Sequence, residues 1–157
     1  MNSKIRNLKI NNYKKKLKQL YENLSVSEIY GPGENNELNL LAKKAHNESN
    51  GTLYHIPTYD GDENIGNDIS SSYAGALKLF IEKLSIFNNC REVIFLAEYN
   101  NEYFRIKCNA KLFLNNFPRI KYVSRYPFVI DDEYSAIVSI MKLEYEIEVC
   151  VLNLKSV

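Results

Sequence analysis

The sequence predicts an α+β domain in which a mostly antiparallel sheet of four to six strands carries about three helices on one face. Apolar residues recur at helical spacing in residues 13–24 and 73–87, and at strand spacing after residue 92. Short turns separate the later strands, which makes them antiparallel neighbours. A chain of 157 residues has the length of one domain, with a helical part over about 1–50 and a sheet-rich part over about 52–157.

The first predicted helix covers residues 13–24. Its apolar stripe consists of Tyr13, Leu17, Leu20, Tyr21 and Leu24. These positions recur at helical spacing, and Asn11 or Asn12 can cap the start of the helix. Upstream, Leu8 and Ile10 either extend this helix or form a short strand.

A break and a change of element type follow. Residues 31–33, Gly-Pro-Gly, end the first helical region, and a weaker helix is predicted over about 36–46. Residues 52–59 have strand character but contain Pro57, which favours a sheet edge or the end of a strand because the proline nitrogen donates no hydrogen bond. Residues 60–71 are predicted to form a polar loop.

The most regular helix of the sequence comes after that loop. Ser71 or Ser72 is its predicted cap, and Asn88-Asn89 ends it. Its stripe consists of Tyr73, Leu77, Phe80, Ile81, Leu84 and Phe87. A β-hairpin is then predicted.

Residues 93–99 of that hairpin are apolar on both faces, which is typical of a central strand covered on both sides. Asn100-Asn101 suits a two-residue turn because asparagine tolerates positive φ. Residues 102–108 then return as the second strand.

The remaining elements are mostly strands. Residues 110–116 form a short helix or an irregular bridge, and residues 119–130 are strand-like. For residues 134–141, β-branched content favours a strand while a cap at Asp132 would favour a helix; we predict a strand. Residues 143–151 alternate apolar and glutamate residues, which predicts a half-buried antiparallel strand.

Charge is segregated along the chain although the formal net charge is only +1. Residues 1–20 carry +7, residues 21–72 carry −7, residues 73–130 carry +5 and residues 131–157 carry −4. Such blocks either neutralise one another between neighbouring elements or form separate patches for a charged partner.

Three cysteines, Cys90, Cys108 and Cys150, are an odd number at wide spacing. Neither a disulfide framework nor a C-x-x-C zinc pair is indicated, so we expect reduced thiols; a reactive thiol is the alternative. No apolar run approaches the ~20 residues of a membrane span, and the basic start is followed by no signal-peptide core. We therefore expect a cytoplasmic protein without a membrane partner.

Two groups of residues could form a metal site or a catalytic site. The loop that starts at Asp60 resembles a calcium loop at first, but Ile65 and Ser71 occupy the positions of the turn glycine and the bidentate glutamate. His46 and His55 could act as general acid and base in RNA cleavage without a metal, or be ordinary residues at a helix end and in a strand. We expect no metal, no cofactor and no catalytic residue.

Two basic and aromatic groups could bind nucleic acid. One is the lysine face of the first helix, with Lys14, Lys15, Lys16 and Lys18 beside Tyr13 and Tyr21. The other consists of Arg119, Lys121, Tyr122, Arg125, Tyr126 and Phe128. Cations on phosphate with rings for stacking outline such a surface, but a net charge of +1 makes nucleic acid the less favoured partner.

Acidic residues give the preferred binding surface. Alternate residues of one strand lie ~7 Å apart on the same face, so the glutamate row of the last strand repels itself unless cations lie opposite. Arg105 and Lys107 could be those cations within the chain. Otherwise the row and the acidic loop offer a surface to a basic protein. The candidate contacts are Asp60, Asp62, Glu63, Asp68, Glu144, Glu146 and Glu148.

These features favour a non-enzymatic protein-binding module of unknown oligomeric state. Its most concrete form is a bacterial immunity or antitoxin protein that neutralises a basic nuclease toxin by direct binding. Residue types with A/T-rich codons (Phe, Tyr, Met, Ile, Asn and Lys) make up 71 of 157 residues, a bias that is frequent in mobile bacterial DNA. The alternative is a small nucleic-acid-binding factor or a metal-independent nuclease that uses the basic strand and both histidines.

Overall fold

The computed structural model of the chain describes residues 3–34, 52–57, 65–143 and 146–153. The helices are α1 (Ser3–Leu20), α2 (Ile65–Lys83) and α3 (Ala110–Asn116). The strands are β1 (Glu28–Tyr30), β2 (Thr52–Pro57), β3 (Glu92–Tyr99), β4 (Glu102–Asn109), β5 (Phe128–Asp131), β6 (Ala136–Lys142) and β7 (Glu146–Asn153). Short 3-10 turns follow α1 at Glu22–Leu24 and α2 at Leu84–Phe87.

All seven strands form one sheet in the order β1-β4-β3-β5-β6-β7-β2, and every neighbouring pair is antiparallel. The predicted α+β class is confirmed. The sheet has one strand more than predicted because β1, with only three residues, has no periodicity that a sequence pattern can detect. β1 comes from the N-terminal part of the chain, so that part and the sheet-rich part share one fold.

The hairpin of β3 and β4 is confirmed. Asn100 and Asn101 both have positive φ, at 50° and 64°, as a two-residue primed turn requires. β3 lies between β4 and β5, and Val93, Ile94 and Phe95 are all buried. A central strand with apolar residues on both faces is what the sequence predicted.

The main core lies between the three described helices and one face of the sheet. Tyr13 and Leu17 of α1, Phe80 of α2 and Phe113 of α3 belong to one buried cluster that includes Phe95 of β3. The prediction of helices on one face is therefore confirmed for the described residues. Helix α1 begins at Ser3, so Leu8 and Ile10 extend it, while Leu20 is exposed and does not belong to the buried stripe.

The opposite face of the sheet carries a second buried cluster. Its members are Ile94, Phe128, Ile130, Ile137, Cys150 and Leu152. Strand β7 contributes to both clusters, because Ile147 and Val149 face the helices while Glu148 and Cys150 are buried on the other side. The prediction that this strand is half-buried was wrong: its alternation of apolar residues and glutamates does not correspond to a solvent-facing side.

Two predicted boundaries were wrong. Residues 119–127 belong to no strand, since β5 begins only at Phe128 and the segment before it makes one isolated bridge, from Val123 to Ala97. Proline at positions 118 and 127 explains this, because neither residue can donate to a ladder. The polar composition of residues 65–71 predicted a loop. Helix α2 instead begins at Ile65, before the predicted caps Ser71 and Ser72.

Other predictions have clear outcomes. Strand β2 contains Pro57 and lies at the edge of the sheet, as predicted, and the ambiguous residues 134–141 do contain a strand, β6. The buried carboxylate of Asp131 accepts hydrogen bonds from the backbone N–H of Ser135 and Ala136 at 2.6 and 2.8 Å, which fixes the turn before β6. The predicted helix over 36–46 lies outside the described residues.

All three cysteines are free thiols, as predicted. Cys108 and Cys150 are buried, and burial raises the pKa of Cys108 to about 12 and the pKa of Cys150 to about 11. Cys90 is partly exposed. Among the described residues, no helix is both long and apolar enough to span a bilayer.

We expect a thiol reagent such as Ellman's reagent to modify one cysteine per chain in the native protein and three after denaturation. Cys90 is the accessible thiol, whereas Cys108 and Cys150 are shielded and held in the unreactive protonated form. Absorbance during labelling at pH 8, with and without guanidinium, measures both counts. Rapid modification of all three native thiols would contradict the burial of the last two.

Candidate functional site

Strand β7 and the edge strand β2 bring one histidine close to two glutamates that follow it in the sequence by 91 residues or more. In the register of this pair, His55 lies directly opposite Glu148, and Pro57 lies opposite Glu146. Residues 146 and 148 alternate on the same face of β7, and His55 presents its side chain on that face of β2. The register therefore assembles a cluster of His55, Glu146 and Glu148, which we call the His–Glu cluster.

The distances within the His–Glu cluster are short. Nδ1 of His55 lies 2.9 Å from Oε1 of Glu146, to which it donates a hydrogen bond, and 3.8 Å from Oε2 of Glu148. The side chains of His55 and Glu146 are 45% and 34% exposed, whereas that of Glu148 is 7% exposed. The cluster thus has a buried carboxylate at its base and two groups open to solvent.

The cations predicted to balance the glutamate row do not do so. Arg105 and Lys107 lie on β4, and strands β3, β5 and β6 separate β4 from β7. Arg105 is buried and donates instead to the backbone oxygen of Gly31 at 3.3 Å, while Lys107 is the register partner of Glu28. Among the described residues, His55 lies beside two members of the row, Glu146 and Glu148.

The topology also connects the two acidic segments of the sequence. Residues 58–64 follow Pro57 directly in the chain, and residues 144–145 directly precede Glu146, the register partner of Pro57. Both segments therefore join the sheet at the same end of adjoining strands. Four predicted contacts lie in them and so outside the described residues; these are Asp60, Asp62, Glu63 and Glu144. The fourth acid of the predicted loop, Asp68, belongs instead to helix α2.

The basic group at residues 119–128 is divided by the fold. Phe128 is buried, and the guanidinium of Arg125 lies over the rings of Tyr73 and Tyr126, at 4.9 and 5.8 Å from their centroids. Arg119 and Lys121 remain exposed. Both line a groove of about 420 Å³ together with the turn after α1.

The lysine face of α1 is largely solvated. Lys15, Lys16 and Lys18 are exposed, while Lys14 forms an ion pair with Glu34 at 2.6 Å, which lowers the pKa of that carboxyl. Tyr13 and Tyr21 are buried in the core and offer no stacking surface. Of the two histidines of the proposed catalytic pair, the structure describes only His55.

The His–Glu cluster could not be predicted from the sequence, because its assembly depends on a long-range strand pairing. A six-residue edge strand and an acidic strand are both visible in the sequence, but no local pattern indicates that β2 pairs with β7 or in which register. No protein-family description, curated protein or solved structure matches this chain.

Proposed function

We propose that the chain is a non-enzymatic, cytoplasmic protein-binding module that presents acidic surface to a basic protein. In its most concrete form it is a bacterial immunity or antitoxin protein that neutralises a cognate nuclease toxin by occlusion. The observation that carries this proposal is the pairing of Pro57 with Glu146, which joins two acidic segments to one end of the sheet.

We call this region the acidic corner: Glu146 with the adjoining segments 58–64 and 144–145. Its sequence contains five acids and no lysine or arginine. A nuclease needs cations where it binds phosphate, so a stretch of sequence with acids and no cations matches its surface in charge. Charge complementarity accelerates association and selects the partner, and its effect weakens with salt.

The described residues indicate how the corner is built. Glu146 is partly exposed and can contact a partner, whereas Glu148 is buried in the free protein. Strand β7 lies between β6 and β2, so the base of the corner is a paired strand rather than a loop. A rigid base limits the conformational entropy lost on binding.

Reversing the charge of the acidic corner should weaken partner capture without unfolding the protein. We expect Glu146→Lys and Asp62→Lys each to reduce the binding free energy by about 2–5 kcal/mol if the acid pairs with a buried cation of the partner. Pull-down from lysate of the source cell, followed by a titration with the identified partner, measures the change. Glu82→Lys, which reverses an exposed acid of α2, is the matched control and should keep full binding.

A nucleic-acid-binding factor is the alternative, and the groove lined by Arg119 and Lys121 is the observation in its favour. Reversal of Arg119 and Arg125 distinguishes the two. Capture that survives both acidic reversals, or that is lost on the two arginine reversals instead, would contradict the acidic-corner proposal. Melting temperatures of every variant separate loss of binding from loss of fold.

A further inference from the structure

We propose that the His–Glu cluster binds a divalent transition-metal ion, with zinc as the representative of that class. His55 supplies Nδ1, and Glu146 and Glu148 each supply one carboxylate oxygen. This site goes beyond the proposed function, because it requires no protein partner. Its three ligands also belong to the described residues and not to the acidic segments 58–64 and 144–145.

The geometry of the three donors fits such an ion. Their ligand atoms all lie within 4.8 Å of one another. Ligands at the usual ~2.0–2.2 Å from tetrahedral zinc are separated by roughly 3.3–3.6 Å. The two distances from Nδ1, 2.9 and 3.8 Å, fall on either side of that separation. Small side-chain rotations therefore suffice to admit the ion, and no backbone movement is needed.

The strand pair holds the donors in place. β2 and β7 are paired over six consecutive positions, and the site lies within that ladder. The side chain of Glu148 is 7% exposed, so packing restricts its rotamers. A metal site needs ligands that are positioned before the ion arrives, and ligands on paired strands meet this requirement better than ligands on loops.

The donor set determines the class of ion. Calcium and magnesium prefer sites made of oxygen atoms, whereas one imidazole nitrogen with two carboxylates suits zinc. Cys150 follows Glu148 on the same face of β7, but it is buried, and the three donor atoms that lie within 4.8 Å of one another belong to His55, Glu146 and Glu148. His55 and Glu146 are open to solvent, which leaves the remaining coordination position to water.

A structural hydrogen bond between His55 and Glu146 is the competing explanation, and the dependence on ligands separates the two. A bound metal takes the place of the hydrogen-bonded proton on Nδ1 of His55 and also contacts Glu148, so zinc binding should depend on these side chains. A structural hydrogen bond without a metal site would leave the chain with no saturable zinc binding.

The test is a calorimetric titration of the chelator-treated full chain with zinc chloride. We expect one ion per chain and at least a ~10-fold loss of affinity in His55→Ala and in Glu146→Gln, since even the loss of a group that merely orients a ligand costs about 10–100-fold. Both side chains are partly exposed, and Glu146→Gln keeps the shape of the residue. The controls are His46→Ala, which removes the other histidine, and Glu102→Gln, a carboxylate of β4; both should bind zinc as the native chain does.

A second measurement identifies the ligand atom. In ¹⁵N spectra of the imidazoles, zinc should shift Nδ1 of His55, whereas magnesium and calcium at the same concentration should not. Absence of saturable zinc binding, retained affinity in both cluster variants, or loss of binding in His46→Ala would overturn the site. The outcome is independent of partner capture: Asp62→Lys should weaken capture but leave zinc binding intact, so either proposal can fail alone.

Discussion

Phe95→Ala should lower the free energy of unfolding by about 3–5 kcal/mol, the range for removing a large aromatic side chain from a packed core. Phe95 is 0% exposed on the central strand β3. Its ring centroid lies 5.5 Å from that of Tyr21 and 5.1 Å from that of Phe113. The side chain therefore connects the sheet to α3 and to the turn after α1, and alanine would leave a cavity that those elements cannot fill.

Urea denaturation at pH 7 measures this loss, and Tyr103→Ala is the matched control. Tyr103 is an aromatic residue of the adjoining strand β4, but it is 48% exposed. Its replacement should cost less than about 1 kcal/mol, the scale of strand propensity alone. Equal losses in the two variants would mean that Phe95 does not occupy the centre of the core.

Local signals explain which parts of the fold were predictable. The turn Asn100-Asn101 requires only two residues that accept positive φ. The apolar stripe from Tyr73 to Phe87 requires only helical spacing. Both are properties of residues that lie close together in the sequence. Strand β1 was not predicted, because three residues are too few to show a periodic pattern. Residues 119–130 have the composition of a strand, but Pro118 and Pro127 cannot donate to a ladder, so only the part from Phe128 onward forms one.

The candidate site was less predictable than the fold, for a physical reason. The alternation of Glu144, Glu146 and Glu148 predicts one row, but the neighbours of that row depend on the order of strands in the sheet. Arg105 and Lys107 could balance the row only if β4 adjoined β7, and three strands intervene. Nothing in the local sequence distinguishes His55 from an ordinary strand residue, because only the register of β2 with β7 gives it two carboxylate neighbours.

Raising the pH above about 9 should destabilise the protein steeply, and buried thiols explain why. The ordinary thiol pKa of 9.0 is raised to about 12 for Cys108, by burial and then by the charge of Glu92. For Cys150 it is raised to about 11, by burial and then by Glu148. Burial also raises the pKa of the Tyr21 hydroxyl, which donates to the backbone oxygen of Lys121 at 2.6 Å.

The direction of the effect follows from the protons bound in each state. Below pH 9 both thiols are protonated in the folded and the unfolded chain, so the stability does not depend on them. Between pH 9 and 11 the unfolded chain releases these protons while the folded chain retains them, and the free energy of unfolding falls. Each such group contributes about 1.4 kcal/mol per pH unit, so two thiols give roughly 3 kcal/mol per unit.

Between pH 9 and 11 this slope removes roughly 5–6 kcal/mol, a large part of a total stability of about 5–15 kcal/mol. Urea melts at half-unit steps from pH 7 to 10.5 measure the slope. In the double variant Cys108→Ala, Cys150→Ala the free energy of unfolding at pH 7 should be lower, because each substitution leaves a small cavity. Above pH 9, however, it should fall less steeply with pH than in the native chain. The comparison of slopes removes the cavity cost, which is the same at every pH. An unchanged slope in the double variant would assign the alkaline loss to other groups, and the two thiols would then ionise in the folded protein as readily as in the unfolded chain.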